Sequence, residues 1–237
     1  MIKASLQQLA EQIRVYCDTD GEATVISAQD SAKAQLLWLD FLQDSQLTGS
    51  ADSLLEGARS AIRECAVCAA IGLARPAILA MRLQIDLALG WLYFKDHPRE
   101  WERVHRTGDG FKLKADTLKY LGDHFESFPH RFGILKAIRT RPIEDPYRLL
   151  SAHVHGQSES TLPVVDTPLS VLCSAQVRAE SLKILAATSE YISDIYWSVF
   201  ADDKYAVPGD LKNELHQRFM SQLQRASFYA GRNIEAE

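Results

Sequence analysis

An arginine, a serine and a histidine fall at positions 148, 151 and 155, three and then four residues apart. On an α-helix, at about 100° per residue, that spacing sets all three on one stripe, with Arg148 and His155 nearly eclipsed two turns apart. Each side chain brings a different capacity to a phosphate. A guanidinium grips two oxygens at once and keeps its charge at any physiological pH. An imidazole gives or takes a proton near neutrality. A hydroxyl orients the imidazole or binds the phosphate itself. A second histidine, His153, points about 140° away from Arg148 around the same helix.

The helix that must carry these residues is punctuated at both ends. Asp145 is a good N-cap. Pro146 fits a first turn, where its missing N–H costs nothing, and Gly156 is a helix stop. Tyr147, Leu150 and Val154 form an apolar stripe beside the polar one, which should face the core. A second polar pair, Arg82 and Asp86, lies inside a strongly apolar run where charged groups need partners. It is expected to share a polar site with Arg148 and His155. Its plainer reading is an i,i+4 ion pair worth a few tenths of a kcal/mol.

Arginine, four to six residues and a histidine, near the start of a helix in an all-α chain, resembles the signature of the HEPN superfamily. Two registers fit: Arg148 to His153 with four residues between, and Arg148 to His155 with six. The sub-pattern Tyr147…Leu150-Ser151…His155-Gly156 resembles the Tyr-x-x-Leu-Ser-x-x-x-His form of one group of HEPN-like bacterial proteins. That pattern and the helical phase both favour His155. In such proteins the motif helix packs near a helix carrying Arg-x-x-x-Glu. Arg82-Leu83-Gln84-Ile85-Asp86 is the equivalent here, with an aspartate one methylene shorter. The likeness spans roughly residues 53–200.

The resemblance implies an HEPN-like helical bundle and a ribonuclease that needs no metal and no cofactor, of a kind often found as a toxin or antiphage effector. It implies that His155 (His153 in the other register) acts as general base or acid, and that Arg148 holds the scissile phosphate. Ser151 would orient His155 or bind phosphate, and Asp86 would position Arg148 or His155. Arg82, Tyr147, Arg139 and Arg141 are candidate RNA contacts. A homodimer would bring two Arg/His pairs into one composite site, and an antitoxin or defence-system protein is a further expected partner.

Helical periodicity runs through the rest of the chain. It predicts helices over 3–16, from 27 or 30 to 43, over 53–73 and 76–95, over 112–125, over 169–200 and over 211–230. The 53–95 pair is an antiparallel hairpin. Asp18 to Gly21 reads as a helix stop and Thr24-Val25-Ile26 as a brief extended piece. The expected organisation is an N-terminal helical extension over 1–50, the HEPN-like domain over 51–200 and a C-terminal amphipathic helix over 201–237.

The chain has 237 residues, 46% hydrophobic and 24% charged, with a net charge of −5. The surface as a whole does not attract nucleic acid, so RNA contact has to come from a local basic patch. Lys112, Lys114 and Lys119 with Arg99, Arg103, His105 and Arg106 form one cluster, and Arg131, Lys136, Arg139 and Arg141 another. They read either as solvated faces or as a phosphate track leading to Arg148. The start of the chain lacks the apolar core of a signal peptide, and no run reads as a membrane span, so a cytoplasmic location is expected. Cys65 and Cys68 spell CxxC inside a helical stretch without a second pair, which favours burial over zinc or redox chemistry.

Two other functions compete with the ribonuclease. One is a catalytically silent HEPN-like module that binds RNA, a nucleotide or a protein partner. The other is a purely structural helical protein, in which Arg148 forms a salt bridge and both histidines are satisfied surface or core residues.

Overall fold

Apolar residues recurring every three to four positions resolve into helices in the computed structural model, which describes residues 2–234. In order they are α1 (Ile2–Tyr16), α2 (Glu22–Ser31), α3 (Lys33–Ser45), α4 (Ser53–Ala70), α5 (Ala74–Phe94) and α6 (Pro98–Thr107). They continue with α7 (Lys114–His124), α8 (Phe128–Ala137), α9 (Pro146–His155), α10 (Ala175–Phe200), α11 (Gly209–Arg218) and α12 (Gln222–Ala230). No strand occurs among the described residues, and the fold is all-α.

The α4–α5 hairpin is the central unit. α4 buries Ala58, Ala61, Ala66, Ala69 and Ala70, and small side chains of this kind let two helices approach closely. The turn between them uses Gly72 at φ +85°, and a Cβ there would lie 2.6 Å from the Tyr16 ring. Tyr16 therefore docks α1 onto a bare glycine, and its hydroxyl donates to the Cys173 carbonyl at 3.2 Å. α10 is enclosed over its second half, with every residue from 187 to 200 buried. Trp38 of α3 meets it, edge-on to Trp197 at 5.1 Å and donating to Ser193 Oγ at 2.9 Å.

One core holds all of this together, from Ala28 and Trp38 through Leu55, Met81 and Ile195 to Leu211 and Phe228. The segments expected as an extension and a terminal helix thus share the core of the middle segment; residue 1 and residues 235–237 of those segments lie outside the described residues. By length and composition α5 could cross a membrane, but 67% of the qualifying stretch is buried inside the bundle.

Three local expectations are corrected. The acidic stretch at 18–21 does not stop a helix: a π-turn over Cys17–Gly21 joins α1 to α2, and Thr24 is helical. Thr19 and Thr24 hydroxyls cap carbonyls four residues back at 2.8 Å, and Asp20 pairs with the buried Arg178. The helix expected over 169–200 begins only at Ala175, after a 3-10 turn at Pro168–Val171. The helix expected over 211–230 is two. Phe219 is extended and Ser221 starts α12 as its N-cap, accepting from the Gln224 N–H at 3.1 Å.

A buried ionic network fixes the approach to α9. Arg141 reaches Glu190 at 3.0 Å and Asp194 at 2.5 Å, and Arg218 reaches Asp194 at 2.7 Å. The Thr140 N–H and hydroxyl donate to Glu190 at 2.8 and 2.6 Å. Two guanidiniums balance two carboxylates, as burial demands. The backbone ahead of Asp145 is thereby tied to α10.

Candidate functional site

α9 has the ends that its sequence implies. The Asp145 carboxylate accepts from the Arg148 N–H at 3.4 Å and pairs with Lys114 of α7. Pro146 occupies the first turn. Gly156 closes the helix in the left-handed region at φ +58°, with Leu162 packed where a Cβ would stand.

The inner face packs on α5 and α10. Leu150 is fully buried, and Tyr147 and Val154 are half-buried. Arg82 is the clamp. Its guanidinium lies 3.5 Å from the centroid of the Tyr147 ring, its Nε donates to Ser151 Oγ at 3.0 Å, and it is ion-paired with Asp86. Lys114 Nζ lies 4.9 Å from the same ring. The Tyr147 hydroxyl is held above its ordinary titration range, chiefly by burial.

The expected convergence of Arg82 and Asp86 with Arg148, Ser151 and His155 is therefore split in two. Arg82, Asp86, Tyr147 and Ser151 come together between α5 and α9. Asp86 engages Arg82 rather than Arg148 or His155. Arg148 and His155 are both exposed on the side of α9 away from the core. Arg148 lines an open cleft of about 720 Å³ with Glu144, Asp145, Leu149, Ala152, Gln157 and Ser158, a lining that includes neither Ser151 nor His155.

Charge in that cleft is partly settled already. Asp145 is paired with Lys114, and Glu144 stands 4.0 Å from Arg139. Arg148 makes no ion pair among the described residues, and it shares the cleft wall with Glu144 and Asp145. His155 likewise has no side-chain hydrogen bond among them. His153 sits half-buried on another side, where burial first and Arg75 second pull its imidazole below the usual range.

The second basic cluster is not a surface track. Arg141 is withdrawn into the network with Glu190 and Asp194 and cannot touch RNA. Arg131 is also buried, with both terminal nitrogens on Asp202 at 3.0 and 2.6 Å. Arg139 alone of the proposed pair remains exposed. Lys114, named in the first basic cluster, reaches α9 from α7 as the partner of Asp145, and Arg75, which had no local signal, reaches it from α5.

Among the described residues, no three side chains of the His, Cys, Asp and Glu types gather as a metal cage. No family model, no curated protein and no solved structure compared with this chain matches it.

Proposed function

We propose that this chain is an HEPN-like endoribonuclease that works without a metal, as a toxin or antiphage effector, at a composite site formed by two copies. One observation carries the reading. Arg148 and His155 stand on the outer face of a helix clamped from below, and Arg148 meets the cleft with its carboxylate neighbours already paired. A guanidinium and an imidazole on one outer face of a helix suit attack of a ribose 2′-hydroxyl on its own phosphodiester. Arg148 would hold the phosphate and stabilise the added negative charge. His155 would take the 2′-hydroxyl proton in one protomer while its counterpart in the second protonates the leaving 5′-oxygen. The product would then end in a 2′,3′-cyclic phosphate.

The test is cleavage of total RNA by the wild type and three variants, with and without EDTA. His155→Ala should abolish cleavage, His153→Ala should leave most of it, and Arg148→Lys should be strongly impaired because an ammonium cannot make the two-pronged contact. EDTA should have no effect. Loss in His153→Ala but not in His155→Ala reverses the register, and activity that survives both removes the mechanism.

A silent binding module is the second reading. It is favoured by the unoriented His155 and by the engagement of Ser151 with Arg82 rather than with His155. Salt-dependent RNA binding without any product is its signature.

A further inference from the structure

The turn after α10 and the last two helices enclose a second cleft, of about 320 Å³, lined by Lys204, Tyr205, Lys212, His216, Arg225 and Tyr229. Local geometry assembles it. Lys212 and His216 are four apart on α11, and Arg225 and Tyr229 are four apart on α12, so each helix turns one pair to a common side. The two helices meet where His216 Nε2 and the Tyr229 hydroxyl stand 2.9 Å apart, their rings edge to face at 85°. The turn adds Lys204, whose Nζ lies 4.8 Å from the centroid of the Tyr229 ring and 5.4 Å from that of Tyr205.

No carboxylate lines the cleft. Asp203 beside Lys204 and Glu214 between Lys212 and His216 do not line it, Asp202 pairs with Arg131 while also feeling the charge of Lys204, and Asp210 pairs with Lys33 at 3.6 Å. Lys204, Lys212 and Arg225 form no ion pair among the described residues. Three cations around a cleft that no carboxylate lines create a positive field that an anion would relieve. The imidazole of His216 registers that field: it titrates below its ordinary range because it is partly buried and because Arg225 and Lys212 face it. At the rim Tyr205 is 89% exposed, a flat apolar ring left in water in a chain of net charge −5.

A phosphate fits the three cations, and a planar ring fits the bare face of Tyr205. We propose that this cleft binds a phosphorylated nucleoside, its phosphate among Lys204, Lys212 and Arg225 and its base stacked on Tyr205. The site is separate from the face of α9 that carries Arg148 and His155, and binding there requires no RNA cleavage. A free nucleotide and the 5′-phosphorylated end of an RNA strand offer the same chemistry.

The experiment is calorimetric titration of the full chain, at low salt, with adenosine 5′-monophosphate, adenosine, inorganic phosphate and a 5′-phosphorylated tetraribonucleotide. The monophosphate should bind at least roughly tenfold tighter than either adenosine or phosphate, because each half supplies an independent contact. Lys212→Glu and Arg225→Glu should each weaken it by roughly tenfold or more. Tyr205→Ala should weaken the monophosphate and leave phosphate unchanged, at a position too exposed to disturb folding. Arg148→Ala should leave monophosphate binding intact. Tighter binding of the monophosphate than of the tetranucleotide identifies a free nucleotide as the ligand, and the reverse order identifies a strand end. Binding of the monophosphate no tighter than that of phosphate overturns the proposal. So does affinity that survives both charge reversals, or that disappears in Arg148→Ala.

Discussion

Arg82→Ala is the perturbation that tests most directly how α9 is held. Three contacts go at once: the ion pair with Asp86, the hydrogen bond to Ser151 at 3.0 Å and the stacking over Tyr147 at 3.5 Å. The ion pair is largely buried, its side chains 12% and 19% exposed. Removing one partner of a fully buried pair costs about 3–5 kcal/mol, because the survivor keeps its charge without compensation. Partial exposure lowers that to roughly 2 kcal/mol, since water reaches Asp86. The charge-assisted hydrogen bond and the cation–π contact add about 1 kcal/mol after their overlap with the pair is allowed for. The expected loss is about 3 kcal/mol, which in a chain of 237 residues lowers Tm by roughly 6–12 °C. The double variant Arg82→Leu with Asp86→Leu should recover most of the loss, because the isolated charge and not the missing pair is what destabilises. Urea denaturation followed by helical circular dichroism measures both quantities, on Arg82→Ala and on the cycle of Arg82→Leu, Asp86→Leu and their double variant. A single variant within about 1 kcal/mol of wild type, or a double variant less stable than both singles, would refute the reasoning.

Two further outcomes follow from burial. His153 is neutral at pH 7 because burial, and Arg75 after it, hold its folded pKa below the unfolded value near 6.5. Its contribution to stability is complete above about pH 6.5 and is lost as the pH falls through the folded pKa; an NMR titration checks this, and Arg75→Gln should move the midpoint up but not to the unperturbed value. The Cys65 thiol is pushed up to about 12, by burial first and then by Cys68 and Glu64, whereas Cys17 is exposed. A thiol-labelling time course should modify Cys17 within the native state and Cys65 only in denaturant, and equal rates would contradict the buried assignment.

What could be read in advance was whatever depended on near neighbours in the chain. Helix identity is carried by apolar spacing, and the ends of α9 by Asp145, Pro146 and Gly156, all of which act within a turn of themselves. The break before α12 went unread in a segment expected as one helix, although Ser221 and Gln224 have the spacing of an N-cap and its partner. The run at 18–21 misled because its polar residues look like a stop. Asp20 there pairs with Arg178, 158 residues away, a partner that no local pattern announces. Arg141 and Arg148 looked alike for the same reason. The acids that bury Arg141 lie on α10, 49 and 53 residues further on, and no local pattern announces them.

The helical wheel has a sharper limit at Ser151. Angular arithmetic says which side chains share a face of α9; it does not say which helix lies opposite. Ser151 sits at the edge between the core stripe and the outer face, and there the guanidinium of α5 takes it. Arg148 and His155 stay outside, and neither has a side-chain partner among the described residues. A general base is effective only when its ring is held in one orientation within hydrogen-bond reach of the proton it removes. Among the described residues no side chain does that for His155. On the ribonuclease reading, the group that orients it must therefore arrive from outside, on the RNA or on a second copy of the chain. Arg82 and Asp86 then serve the chemistry only indirectly, by keeping α9 rigid enough for that outside group to find His155 in place.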